Sequence, residues 1–200
     1  MARKSDPAIR KRILQEAEHV IHLKGYNHAC LEEIASACGM TKANLFHHYK
    51  SKSDLALAVL DYKIAEFKSR KVAPICAQAA PEEAVSAMFS QAQNFFSGNG
   101  CKAGCFVGNI ALEMSDLDEV FRLRVADFFE AWAGGMAECL KRCQARGYFD
   151  KTLNARAAAE SIVALYEGAT MLARSRRDAA VFGRVGKVAR QILEQHKIRK

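Results

Sequence analysis

Residues 31–49, LEEIASACGMTKANLFHHY, set two short apolar repeats on either side of one glycine. Leu31, Ile34, Ala35 and Cys38 recur at helical spacing, Gly39 interrupts the pattern, and Leu45 and Tyr49 resume it four residues apart. The pattern predicts a helix, a tight turn and a second helix over Lys42–Tyr49, with Thr41 as its N-cap. Small Ala35 allows the two helices to cross closely, and Gly39 suits the turn. With Leu45 and Tyr49 turned inward, Lys42, Ala43, Asn44, His47 and His48 face outward.

The rest of the chain reads as helix as well. No sustained apolar–polar alternation bounded by turns is present, so no strand is expected. Asp6-Pro7 starts a first helix whose face holds Ile9, Ile13, Leu14, Ala17, Val20 and Ile21, and Gly25 is placed to end it. A further helix runs from Ser51 or Ser53 to about Val72, and Pro74 and Pro81 mark a connection. Helices are then expected over 82–97, 104–114, 118–146, 153–175 and 179–196. The expected fold is all-α with about nine helices. A basic helix-turn-helix domain over 1–52 precedes a larger helical body over 53–200. SGNGCKAGC, residues 97–105, is the least regular stretch.

Composition narrows the function classes. Half the residues are hydrophobic, enough to bury a core, and charged residues make up 26%. The basic N-terminus has no apolar h-region, and the longest uncharged run, 84–101, is broken by Ser, Gln, Asn and Gly. A signal peptide and a membrane span are therefore not expected, and the expected location is the cytoplasm. Seven cysteines, an odd number in such a chain, point to reduced thiols rather than a disulfide framework. The net charge is +8; residues 1–52 carry nine Lys/Arg against five Asp/Glu, and the remaining 148 carry 21 against 17. Positive charge is thus much denser at the N-terminus, which suits a polyanionic partner.

A helix that presents its first turn outward in this way fits the major groove of DNA. Asn44 can pair with the N6 and N7 edge of adenine, and Ala43 is small enough to let the backbone approach or to touch a thymine methyl. The helix N-terminus with Lys42, Lys50 and Lys52 suits the flanking phosphates. Arg3 and Lys4 could reach a neighbouring groove or remain a basic tail. A His47-His48 metal site is not expected, because adjacent helix residues point in different directions.

LEEIASACGMTKANLFHHYKSKSDL resembles the N-terminal module of the TetR family of bacterial transcription regulators. The resemblance lies in Ile34, Ala35, Gly39, Thr41, Ala43, Leu45, His48, Tyr49, Ser51, Lys52 and Leu55, with Gly25-Tyr26 ahead of them. It implies a DNA-binding surface of Thr41, Lys42, Ala43, Asn44, Phe46, His47, His48, Tyr49 and Lys52. Two positions depart from the family pattern. Phe46 stands where a tyrosine is usual and lacks the hydroxyl that often contacts a phosphate, so it can only pack. Ala29 and Cys30 stand where a Ser or Thr N-cap is usual, which predicts a weakly capped first helix.

The resemblance further implies a homodimer on a near-palindromic DNA operator and a small-molecule effector in the body. The last two helices would form the dimer interface. Their stripes are Ala157, Ile162, Leu165, Ala169 and Leu172, and Val181, Val185, Val188, Ala189 and Ile192; either could equally be intramolecular core. Candidate effector-pocket residues are Phe89, Phe96, Phe106, Asn109, Ile110, Glu113, Met114, Phe128, Trp132, Met136 and Tyr166, although aromatics and methionines at helical spacing are usually core. Cys105, after Gly104 at a helix start and near Lys102, is a candidate thiol sensor for oxidants or electrophiles, with Cys101 as a resolving partner. A four-thiolate zinc site built with Cys139 and Cys143 is not favoured by the spacing, and GNGCKAG lacks the GxxxxGK[ST] order of a phosphate loop. No cofactor, metal or catalytic residue is expected. Against an enzyme, Cys105 has no companion His or acid motif, and five of the six histidines lie in the first 48 residues. Specific regulation, most simply repression, is the expected function, and non-specific DNA binding is the alternative of another class.

Overall fold

The computed structural model describes residues 6–67 and 80–198. Nine α-helices occur among them: α1 Pro7–Lys24, α2 Leu31–Ala37, α3 Lys42–His48, α4 Lys52–Phe67, α5 Pro81–Gly98, α6 Phe106–Met114, α7 Glu119–Ala145, α8 Ala155–Arg176 and α9 Ala180–Glu194. There is no strand among the described residues, only an isolated bridge between Phe149 and Lys197. None of these helices is long and apolar enough to cross a membrane. The expected stretch to Val72 and the connection at Pro74 lie partly or wholly outside the described residues.

Local chemistry explains the helix ends. Asp6 caps α1 by accepting from the Ala8 N–H at 2.9 Å, and Pro7 occupies the first turn, where its missing N–H costs nothing. Gly25 ends α1 at φ +83°, a conformation that L side chains avoid. Cys30 is the N-cap of α2 and makes no capping hydrogen bond; Glu32 and Glu33 in the first turn offset this by placing negative charge at the positive end of the helix. At α4, Ser51 Oγ accepts from the Asp54 N–H at 3.0 Å, and Asp54 accepts from the Lys50 N–H at 3.0 Å. This double contact fixes the joint between α3 and α4.

The chain packs as two compact units, Met1–Ala65 with Phe106–Val125 and Glu66–Cys105 with Ala126–Lys200. Two of the three limits fall inside α4 and α7 and the third where α6 begins, whereas the sequence places one boundary at 52/53, where α4 begins. In the first unit, α2 packs on α1 and α3, over a core of Ile13, Ala17, Ile21, Ile34, Leu45, Leu55 and Val59. In the second, α9 packs on α5 and α8. A Cβ at Gly186 of α9 would lie 2.7 Å from Phe89 Cβ, so only glycine permits that approach. The C-terminal segment is tied down as well. Ile198 donates to the Tyr148 carbonyl, and Asp150 donates to that of His196. Lys197 Nζ and the Tyr148 hydroxyl both donate to Glu82 Oε1 at 2.6 Å. Burial opposes the Glu82 charge, yet these two bonds outweigh it and leave its acidity stronger than usual.

The cysteines depart from the sequence expectation at one position. Cys30, Cys38, Cys101, Cys105 and Cys143 remain thiols, but Cys139 is disulfide-bonded. An odd cysteine count argues against a full framework of bridges and leaves a single bridge possible, because pairing depends on which side chains the fold brings together.

Candidate functional site

The turn between α2 and α3 forms as its residues dictate. Gly39, at φ +65°, donates to the Ser36 carbonyl at 2.9 Å, and Met40 donates to that of Ala35 at 3.0 Å. Thr41 Oγ1 accepts from the Asn44 N–H at 3.2 Å and caps α3. Leu45 and Tyr49 are buried, and burial pushes the Tyr49 phenol up. Arg10 of α1 lies 5.7 Å from the centre of the Tyr49 ring. α3 is thereby held from beneath by two side chains one turn apart.

Six of the nine proposed DNA-surface residues are exposed together: Thr41, Lys42, Ala43, Asn44, Phe46 and His47. His48 is half-buried and Tyr49 is buried. Phe46 remains 43% exposed, with Lys42 Nζ 5.9 Å from its ring centre, so it is a surface aromatic rather than a packed one. Lys42 also pairs with Glu32 at 2.5 Å. Lys52 faces inward more than its charge suggests. Its Nζ donates to the Asn27 carbonyl at 3.1 Å and sits 4.6 Å from the Tyr26 ring centre. It clamps the connector between α1 and α2.

Glu113 meets the same connector. Its Oε2 accepts from the Asn27 N–H at 3.1 Å, and a Cβ at Gly25 would lie 2.7 Å from its Oε1. This pocket candidate is thus spent on a contact within the first unit. Phe106, Ile110 and Met114, on the same helix α6, are buried in that unit, and His22 packs edge-on against Phe106 at 5.6 Å. Asn109 is half-buried on α6.

The other candidates lie in the second unit. Trp132 contacts Phe128 at 5.9 Å and Tyr166 at 5.2 Å, and Tyr166 contacts Phe89 at 5.5 Å. Phe96 packs on Phe182 at 4.9 Å, and Met136 is 1% exposed. These rings fill one another's space. A cavity of about 360 Å³ opens elsewhere in the unit, between α7 and α8. It is lined by Ala126, Phe129, Glu130, Ala133, Arg156, Glu160, Val163, Ala164 and Glu167. Arg156 is engaged there by both Glu130 and Glu160, at 2.6 Å each.

Cys105 ends an irregular segment in which Gly100, Cys101, Ala103 and Gly104 all have positive φ. Two of these are not glycine, and each costs about 1–2 kcal/mol in backbone strain. Arg177 Nη1 braces the segment through the Cys101 carbonyl at 2.9 Å. Cys101 is buried and Cys105 half-buried. Glu167 lies near enough to Cys105 for the thiol to favour its charged form. Burial pushes Glu167 up to about 7, and the thiol pulls it partly back. Sequence reasoning passed over Glu167. A signal existed, since it lies four residues after buried Val163 and three before buried Thr170.

The profile of bacterial regulatory proteins of the tetR family matches residues 13–59. That of the LmrA/YxaF-like transcriptional regulator C-terminal domain matches residues 81–188. The chain belongs to the TetR family of transcription regulators. Among its relatives, the transcriptional regulator AcuR of Cereibacter sphaeroides is 27% identical over 158 residues, covering 78% of this chain and 72% of AcuR. The HTH-type transcriptional repressor NemR of Escherichia coli is 23% identical over 114 residues, 56% of this chain and 57% of NemR. The structure of NemR in its reduced form superposes with a TM-score of 0.82 at 20% identity, over 93% of this chain and 98% of that one. A TetR-family regulator from Cytophaga hutchinsonii shares the fold over the full length of both chains, with a TM-score of 0.87 at 22% identity.

Proposed function

We propose that this TetR-family chain is a repressor that binds a near-palindromic DNA operator as a homodimer and is released by a small-molecule inducer. The observation that carries the reading is the exposed first turn of α3, with Thr41, Lys42, Ala43 and Asn44 outward over buried Leu45 and Tyr49. Asn44 reads an adenine edge, Ala43 permits close approach, and Thr41 and His47 flank them. Lys42 exchanges Glu32 for a phosphate, and Phe46 contributes apolar contact at the edge of the groove. Lys52, Tyr49 and half-buried His48 serve the surface by holding α3 and its surroundings in place.

Dimerisation draws support from apolar side chains left open on the last two helices: Met171 and Leu172 of α8 and Val188 of α9. Ile162, Ala169, Val181 and Ala189, from the same sequence stripes, are buried within the chain. The named relatives include a repressor, which favours repression over activation. The test is sizing of the purified protein with and without a selected operator fragment. A two-fold complex supports the reading, and a monomer bound to a single half-site contradicts it.

A second reading is that release follows modification of Cys105 by an oxidant or electrophile. Its half-buried place at the end of a strained segment, braced through Arg177, favours this. Cys101, buried four residues earlier, is the candidate resolving thiol. Cys105→Ser should abolish oxidant-induced release, and a mutant that still releases would end this reading.

A further inference from the structure

The positive charge that the sequence places around α3 is partly engaged within the chain itself. Lys52 is turned to the Asn27 carbonyl, and Lys42 to an acid of the neighbouring helix. Lys42 Nζ donates to Glu32 Oε1 at 2.5 Å, which ties the first turn of α3 to the first turn of α2. This bond holds the Glu32 carboxyl below the usual carboxylate range, so it is charged at neutral pH. Glu33, the next residue, is paired with Lys24 of α1 instead. Of the two acids in that turn, Glu32 is thus the one that meets α3. Both partners stay open to solvent, Lys42 at 46% and Glu32 at 61%, and Phe46 flanks the ammonium. On the exposed surface, a carboxylate therefore holds the ammonium that suits a DNA phosphate.

We infer that Glu32 competes with DNA phosphate for Lys42 and so lowers affinity for every DNA sequence alike. This rests on the reading of α3 as the DNA-facing helix and names a residue that sets how strongly that surface holds. On binding, Lys42 exchanges one anion for another, so the swap gains little net attraction. Glu32 meanwhile gives up its cation beside a polyanion, and that repulsion opposes the complex. Neither cost involves a base edge, so neither alters sequence preference. Together they cancel about one phosphate contact in the salt dependence. In the free protein the same pair joins α2 to α3 and adds a little stability. Glu32 thus favours the free fold and disfavours the complex, two effects of opposite sign.

Fluorescence anisotropy with two labelled duplexes, one a selected operator and one of random sequence, reads both effects across a salt series. The full-length protein is compared with Glu32→Gln, which keeps the length of the side chain and loses its charge. Glu32→Gln should bind both duplexes about three- to fivefold tighter at low salt. Its log affinity should fall more steeply with log salt, by about one unit of slope. Its melting temperature should be slightly lower than that of the native chain. A residue that only supports the fold would lose affinity and stability together. In a Lys42→Met background the same substitution should change affinity by less than about twofold. A folded Glu32→Gln protein that binds no tighter, or one that gains equally in the Lys42→Met background, would overturn the competition. If Glu32→Gln fails to fold by circular dichroism, Glu32→Ser takes its place with the same expectations. The reading of α3 is scored separately, by Asn44→Ala on the operator. A loss there without any gain from Glu32→Gln overturns the competition alone. A gain that depends on Lys42, with no loss from Asn44→Ala, upholds the competition and contradicts the base readout.

Discussion

Two regions attracted functional assignments for similar reasons, and they turned out differently. Residues 41–49 and the aromatic stripe of the body both carry large side chains at helical spacing. In α3 and its C-cap, Leu45 and Tyr49 face inward, and Thr41, Lys42, Ala43, Asn44, Phe46 and His47 stand on the surface. In the body, Phe89, Phe128 and Trp132 are each 1% exposed, and Tyr166 packs against Phe89 and Trp132. The difference is one of range. A cap, a glycine turn and an i, i+4 pair settle within a few residues which side of α3 faces out. Whether a phenylalanine lines a cavity or fills a core depends on helices distant in sequence, and periodicity is identical in the two cases.

The largest effect expected from this contrast is in the body. Trp132→Ala should cost about 3–5 kcal/mol of unfolding free energy, as for a large aromatic removed from a packed core. Denaturant titration checks it. A loss below about 1 kcal/mol would show that Trp132 borders space and would return it to the pocket candidates.

Next comes α3 itself. Asn44→Ala should cost about 1–3 kcal/mol of operator affinity and relax the preference at one base pair per half-site, with stability unchanged. Competition binding against single-base operator variants checks it, and an unchanged preference would remove Asn44 from the readout.

The clamp at Glu82 gives a smaller effect with a definite pH sign. The folded protein holds Glu82 below its ordinary range, so the stabilisation is present above the unfolded value of about 4.3 and is lost as pH falls through the folded one. Lys197→Met should lower stability modestly at pH 7, because Lys197 is 42% exposed and its pairing is screened by solvent. The cost should shrink in acid. A deficit that stays constant down to pH 3 would mean that packing of the lysine stem matters more than its charge.

The smallest effect sharpens the first region again. Thr41→Ala should lose about 1 kcal/mol by removing the cap on Asn44, seen as a lower melting temperature. No loss would mean that Leu45 and Tyr49 hold α3 without it.

Much of the fold was legible in sequence. Asp6-Pro7, Gly25, Gly39, Thr41 and Pro81 mark helix ends through local chemistry, and each end falls where that chemistry places it. The weak cap at Cys30 was legible for the same reason. The candidate site was legible in its outward residues and less so in its supports. Lys52 reads as a phosphate contact until its bond to Asn27, 25 residues away, is seen. Glu113 reads as a pocket acid because its partner, again Asn27, lies 86 residues away. Glu167 gave only the faint signal of an acid on a buried stripe, and its nearness to Cys105 needed the three-dimensional fold.

The most direct test of the account is selection of bound fragments from the source genome by the purified protein, under reducing conditions. One inverted repeat should be enriched, and its half-sites should lose definition at one position with Asn44→Ala. Uniform recovery of fragments, with affinity set by salt alone, would contradict it and leave a non-specific DNA-binding protein.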